Sequence, residues 1–127
     1  MQPIHLLRLE GVAVLLGGLV GYLVTDAPLW LLLVLALAPD VSMVGYLGGA
    51  RLGSWTYNLA HTYVLPVALI GTGVALGVEL ALPVALVWAA HIGADRALGL
   101  GLKYETGFRD THLDRLDAPR SARVEGL

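Results

Sequence analysis

Apolar residues run through this chain in four long stretches, about Ile4–Val24, Pro28–Leu47, Ser54–Leu76 and Leu80–Leu98, with short polar breaks between them. A spanning helix needs roughly 20 mainly apolar residues, so each stretch is expected to cross a bilayer. Thr25–Asp26–Ala27–Pro28 reads as a helix start with Asp26 as its N-cap, and Gly48–Gly49–Ala50–Arg51 and Gly77–Val78–Glu79 interrupt the other junctions. The expected fold is all-α: a four-transmembrane-helix antiparallel bundle forming one domain over residues 1–116. An interfacial segment at 99–116 and a flexible tail at 117–127 complete it.

Composition supports that reading, because 127 residues that are 57% hydrophobic and 14% charged, with mean hydropathy +0.73, carry more apolar surface than a small soluble core hides. The net charge of -2 conceals an asymmetry, since six of the eight basic residues fall from Arg96 onward. By the positive-inside rule the Arg51 turn and the basic tail belong in the cytoplasm, and the Asp26 and Glu79 turns face out. Both termini are then cytoplasmic, and the expected location is the bacterial inner membrane, crossed several times. Glu10 and the three later stretches favour a retained first span over a cleaved signal peptide.

Against that apolar background, Asp40, Asn58, His61, His91 and Asp95 stand out. A central Asp costs about 2.5 kcal/mol or more on insertion scales, so such residues point to a functional site. His91 and Asp95 are four apart on one helix face, and Asn58 and His61 are three apart, with Tyr57 one turn before His61. Pro39 breaks the second span, so Asp40 either caps a half-helix starting near Val41 or is a locally satisfied carboxylate beside a proline kink, and Pro66 should free a carbonyl near Thr62. The plainer interpretation of any one of these groups is interhelical hydrogen bonding, worth about 0.6 kcal/mol on average in membrane proteins.

Depth changes the weighing. At about 1.5 Å per residue, Asp40, His61 and His91 each lie about 10 Å from the cytoplasmic end of their helices, and Asp95 about 4–5 Å. Four groups from three helices therefore share one layer in the inner leaflet. With no Cys in the chain, a metal there must be held by His, Asp, Glu or Asn. Asp40, His61, His91 and Asp95 suit Zn²⁺, and less so Mn²⁺ or Fe²⁺. Glu10 and Asp110 are the candidate proton-accepting catalytic carboxylates. Arg8, Tyr57, Asn58, Arg96 and His112 are candidate supporting or substrate-binding groups, and Asp110 with His112 is placed to fold back as a lid. Gly17-x3-Gly21 and Gly73-x3-Gly77 would allow close helix approach.

In several ordered blocks the chain resembles the small bacterial membrane proteins of domain of unknown function 4260. The blocks are Leu7–Gly11, Ala38–Tyr46, Tyr57–Tyr63, Ala90–Gly99, Gly101–Tyr104 and Phe108–Leu113, so the likeness covers about residues 6–116. The family name implies no activity. The order Pro-Asp, His-Thr, His-x3-Asp is more loosely similar to the LexA-binding inner-membrane type of metal-dependent hydrolase, and that likeness implies that Asp40, His61, His91 and Asp95 are metal ligands. Where those proteins have His-Arg-Gly before the His-Thr pair, this chain has Asn58–Leu59–Ala60.

Three functions are thus expected in competition. The first is a metal-dependent hydrolytic site in the cytoplasmic leaflet, acting on a lipid or phosphoester-type substrate. The second is a proton- or ion-coupled transporter or channel, which four short spans would need a homo-oligomer to form. The third is a non-catalytic assembly protein whose polar residues hold helices together. Membrane lipids are expected partners and nucleic acid is not.

Overall fold

The computed structural model describes residues 2–117; the expected flexible tail lies, apart from Asp117, outside them. The regular elements of the described residues are helices: α1 Pro3–Val24, α2 Leu29–Leu37, a 3-10 segment Ala38–Gly48, α3 Ala50–Ala60, α4 Val64–Leu76, α5 Ala81–Ala97 and α6 His112–Asp117. One isolated antiparallel bridge pairs Lys103 with Thr111. Two of these runs, Pro3–Val24 and Leu29–Gly48, are long and apolar enough to cross a membrane, and α3 with α4 makes a third if that pair, bent by 45°, is one span.

α5 is the organising helix. It packs against α1, α2 and α4, and it buries Ala81, Ala85, Val87, Ala90 and Ile92. Around it the apolar residues point outward: Leu9, Leu16 and Leu23 on α1 and Leu33 and Leu37 on α2 are all more than half exposed. An apolar belt of this extent on a soluble monomer would mark a binding surface, and on helices of this length it is what hydrocarbon solvates.

The α1–α5 contact is tight because it is built on main chain. A Cβ at Gly11 would meet the Gly93 carbonyl oxygen at 2.6 Å, and one at Gly93 would meet that of Gly11 at 2.6 Å. Gly18 approaches α5 in the same way, at the Leu86 carbonyl. Ile4, Gly11 and Gly18, all buried, recur every seven residues, which is the repeat of two helices packing along a shallow seam. The expected Gly17–Gly21 pair is not that seam, because a Cβ at Gly17 meets nothing within 4 Å.

Other local expectations are corrected. Asp26 does not cap the second helix: Pro28 holds the N-cap position without a side-chain bond, and the Tyr22 hydroxyl ties the turn by donating to the Pro28 carbonyl at 2.6 Å. Asp40 does not cap a new helix at Val41. At Ala38 the backbone passes from α into 3-10 winding, which continues to Gly48 and leaves the Asp40 carboxylate free to point elsewhere. Eleven residues is far beyond the three or four usual for 3-10 helix, a departure that often marks a functional segment. The stretch read as a single helix over Ser54–Leu76 is two helices, beginning at Ala50 and parted at His61–Tyr63. Pro66 has no N–H to offer the Thr62 carbonyl, so the ladder cannot run through.

Residues 99–117 fold back onto the helices as a compact cap. Asn58 imitates a strand neighbour there, accepting from the Lys103 amide at 2.7 Å and donating to the Lys103 carbonyl at 2.8 Å. His112 Nδ1 accepts from the Leu102 amide at 2.8 Å, and Leu113 is 1% exposed.

Candidate metal centre

The four donors of the His/Asp cluster arrive on three different supports. The 3-10 segment presents Asp40, the first residue of the α3–α4 break is His61, and consecutive turns of α5 carry His91 and Asp95. Their donor atoms all lie within 4.8 Å of one another. Asp40 Oδ1 is 3.1 Å from Nε2 of both His61 and His91, the two Nε2 atoms are 3.3 Å apart, and Asp95 Oδ2 is 3.5 Å from each. A tetrahedral zinc site with ligand distances of about 2.0–2.1 Å has donors separated by about 3.3–3.4 Å. The five separations fall on either side of that value.

The far nitrogens fix which atoms face inward. His61 Nδ1 donates to the Tyr57 carbonyl at 2.8 Å and His91 Nδ1 to the Ala36 carbonyl at 2.5 Å. A carbonyl can only accept, so both Nδ1 atoms carry protons, and in the neutral rings both Nε2 lone pairs point at the carboxylates and at each other. Two lone pairs and two carboxylates at such distances repel unless a cation or protons lie between them. His61 is fully buried, with side-chain exposures of 9% for His91 and 14% for Asp95; only Asp40, at 41%, opens the cluster to its surroundings. Water therefore supplies little compensation.

The break after α3 serves the site. It exposes two carbonyls that a continuous helix would have consumed, and both are used: Trp88 Nε1 donates to Ala60 at 2.6 Å and an Arg96 terminal nitrogen donates to His61 at 2.8 Å. The Tyr57 ring lies flat on the His61 imidazole, with centroids 3.7 Å apart and planes 7° off parallel. The Lys103 ammonium sits 4.4 Å from the centre of the Tyr57 ring and donates to the Phe108 carbonyl. Lys103 belongs to the segment expected to be interfacial, yet it is 7% exposed. Burial pushes its pKa down, opposed by the carboxylates of Asp95, Asp114 and Asp40.

The remaining sequence candidates lie around the cluster rather than in it. Tyr57 packs on a donor, whereas Asn58 fastens the cap. Glu10 lines a separate cavity with Tyr63, Arg96 and His112. Asp110 is held by Arg115 at 2.8 and 2.9 Å and by the Thr106 hydroxyl, and these bonds lower its pKa to about 2. Arg8 Nε donates to the Ala97 carbonyl at 3.0 Å, a C-terminal cap on α5. The Arg96 guanidinium bridges the His61 and Leu100 carbonyls. Trp88, and the inward turn of Lys103 toward Tyr57, are not indicated among the sequence candidates. Trp88 could have been found from its position three residues before His91 on the same helix face.

Fold and site together define a helical protein with two to three candidate membrane-spanning helices and a His/Asp cluster able to hold a metal ion. The family model described as Domain of unknown function (DUF4260) matches residues 4–116, and the chain belongs to that family. No curated protein and no solved structure matches it, so the likeness to LexA-binding hydrolases gains no support there.

Proposed function

We propose that the chain is a multi-pass protein of the bacterial inner membrane with four spans, both termini cytoplasmic and the second helix altered at Pro39. In it Asp40, His61, His91 and Asp95 hold a divalent cation, zinc before manganese or iron, at a hydrolytic site for a lipid or phosphoester-type substrate. The carrying observation is the convergence of two inward imidazole lone pairs and two carboxylates at tetrahedral spacings, in a layer where uncompensated charge is expensive. A cation held there would polarise a phosphoryl or carbonyl oxygen and lower the pKa of water.

The chain's own residues supply the rest. Tyr57 and the two main-chain acceptors keep the imidazoles aimed, and Asp40 is the donor at the open side. Glu10 and Asp110 are the proposed proton acceptors. Arg8, which among the described residues bonds through Nε, would offer its terminal nitrogens to an anionic headgroup, with Arg96 and His112 further in. Membrane lipids are the proposed partners.

Elemental analysis after chelator-free purification tests this. The expected result is near-stoichiometric zinc, lost in His61→Ala and His91→Ala; metal-free wild-type protein would overturn it.

A second reading draws on the two 3.1 Å contacts to Asp40, which are also hydrogen-bond distances for protonated imidazoles. Such a site would carry protons, in a homo-oligomeric transporter, and predicts pH-driven flux in liposomes. A purely structural role for the same contacts predicts His61→Asn to lower stability without removing metal or flux.

A further inference from the structure

Beside the metal centre lies a cavity of about 280 Å³, close to the roughly 300 Å³ lower end of small-molecule pockets. Its walls are Leu35, Ala38, Pro39, Ala60, Val84 and Trp88, with Ser42 at the edge. Pro39 and Ala60 immediately precede the donors Asp40 and His61. Val84 and Trp88 lie seven and three residues before His91, on the face of α5 that carries His91 and Asp95. Measured along α5, the cavity thus continues that face by about 4–10 Å away from His91, on the side opposite Asp95.

Two polar side-chain groups reach its wall, and both are already bonded to the protein. The Trp88 indole N–H donates to the Ala60 carbonyl at 2.6 Å, and the Ser42 hydroxyl donates to the Pro39 carbonyl at 2.7 Å. Water needs two to four polar partners to occupy a cavity, and this one offers almost none. A hydrocarbon guest needs none. Ala38, on its rim, is exposed on helices whose outer faces are apolar, so the guest at hand is bilayer hydrocarbon.

We propose that this cavity binds the acyl chain of a membrane phospholipid, with the chain lying along Val84 and Trp88 and the headgroup end toward Asp40. The inference rests on the metal-site reading and narrows its substrate class to acyl-chain phospholipids, excluding water-soluble phosphoesters. The half-exposed Asp40 is the donor nearest the chain's polar end, since it follows Pro39 of the cavity wall directly.

The full chain is reconstituted in phosphatidylcholine–phosphatidylglycerol vesicles containing a phosphatidylglycerol with a mid-chain diazirine, irradiated, and mapped by peptide mass spectrometry. Metal is measured on the same samples. Labels are expected at Leu35, Val84 or Trp88 as well as at exposed Leu33 and Leu37. Val84→Phe and, from the opposite wall, Ala38→Leu should cut the cavity labels about fivefold, the equivalent of about 1 kcal/mol, and leave Leu33, Leu37 and bound metal unchanged. Cavity positions unlabelled in wild type, or labelled equally in both variants, would overturn the proposal, as would preferential labelling there by an isoprenoid diazirine. Labelled cavity without metal would retain the chain site and remove the hydrolytic reading; metal without cavity labels would do the reverse.

Discussion

His61 and His91 meet through their Nε2 atoms 3.3 Å apart, while the Nδ1 of each is bound to a main-chain carbonyl on a different helix. Their orientation is thus set by backbone, from Tyr57 in α3 and Ala36 in α2, and does not depend on what lies between them. A ligand that binds the folded state alone stabilises it by about 4 kcal/mol at a thousandfold excess over its Kd. A chelator is therefore expected to lower the thermal midpoint of the wild-type protein markedly and to leave that of His91→Ala unmoved, as read by unfolding in detergent with and without the chelator.

Tyr57 acts on His61 by stacking, a contact that a phenyl ring preserves. Tyr57→Phe should keep metal affinity within a few-fold, whereas Tyr57→Leu should weaken it by about 10–100-fold, the usual cost of disturbing a ligand's support. Competition with a zinc-sensitive dye separates the two outcomes. Equal losses would mean that the hydroxyl, and not the stack, matters.

The cap carries a pH dependence of its own. His112 is held below its ordinary pKa of 6.5, first by burial and then by the Arg96 charge, and its Nδ1 must be unprotonated to accept from Leu102. With the folded pKa lowered, the unfolded chain binds more protons between that value and 6.5, so stability is complete above 6.5 and lost as pH falls below it. Protection factors at the Leu102 and Lys103 amides, that is exchange corrected for the intrinsic slowing with falling pH, should drop on acidification below about pH 6.5, and His112→Asn should flatten that response. Asp110, with a pKa of about 2, adds a separate loss only as pH falls from 3.8 toward 2.

Asn58 makes two bonds to the Lys103 main chain, so Asn58→Ala removes both and strands a peptide group. The expected cost is about 1–3 kcal/mol, with faster exchange confined to residues 99–117. Loss of α5 protection in the same experiment would contradict a local role.

At the α1–α5 seam, Gly93→Ala would set a Cβ 2.6 Å from the Gly11 carbonyl, and backbone has little room to yield. A cost of about 1–3 kcal/mol or more is expected, against no loss for Gly17→Ala. Thermal unfolding of the two variants makes the comparison.

Much of the site was legible because carboxylates and imidazoles are costly in apolar helices, and counting residues along each stretch put Asp40, His61, His91 and Asp95 in one layer. What escaped was decided by tertiary contacts. No local pattern tells that Asn58 faces a main-chain segment 45 residues away, or that Lys103 turns inward to Tyr57 when lysines near helix ends usually reach for water. The Ile4–Gly11–Gly18 repeat is present in the sequence at a seven-residue spacing, which the four-residue small-residue pattern of Gly17 and Gly21 does not mark. In the third apolar stretch Pro66 announced freed carbonyls, but the Trp88 and Arg96 donors that use them come from another helix and leave no local signal.

The long 3-10 segment also changes the length of the helix that presents Asp40. At about 2.0 Å per residue it makes Leu29–Gly48 about 35 Å long, where an α-helix of the same residues would measure about 30 Å. Rewinding it would shorten the helix by about 5 Å and rotate Asp40 about its axis. In the proposed membrane placement the cluster and the bilayer thickness would thus act on one spring, a thinner membrane favouring the rewound helix and displacing the most exposed donor.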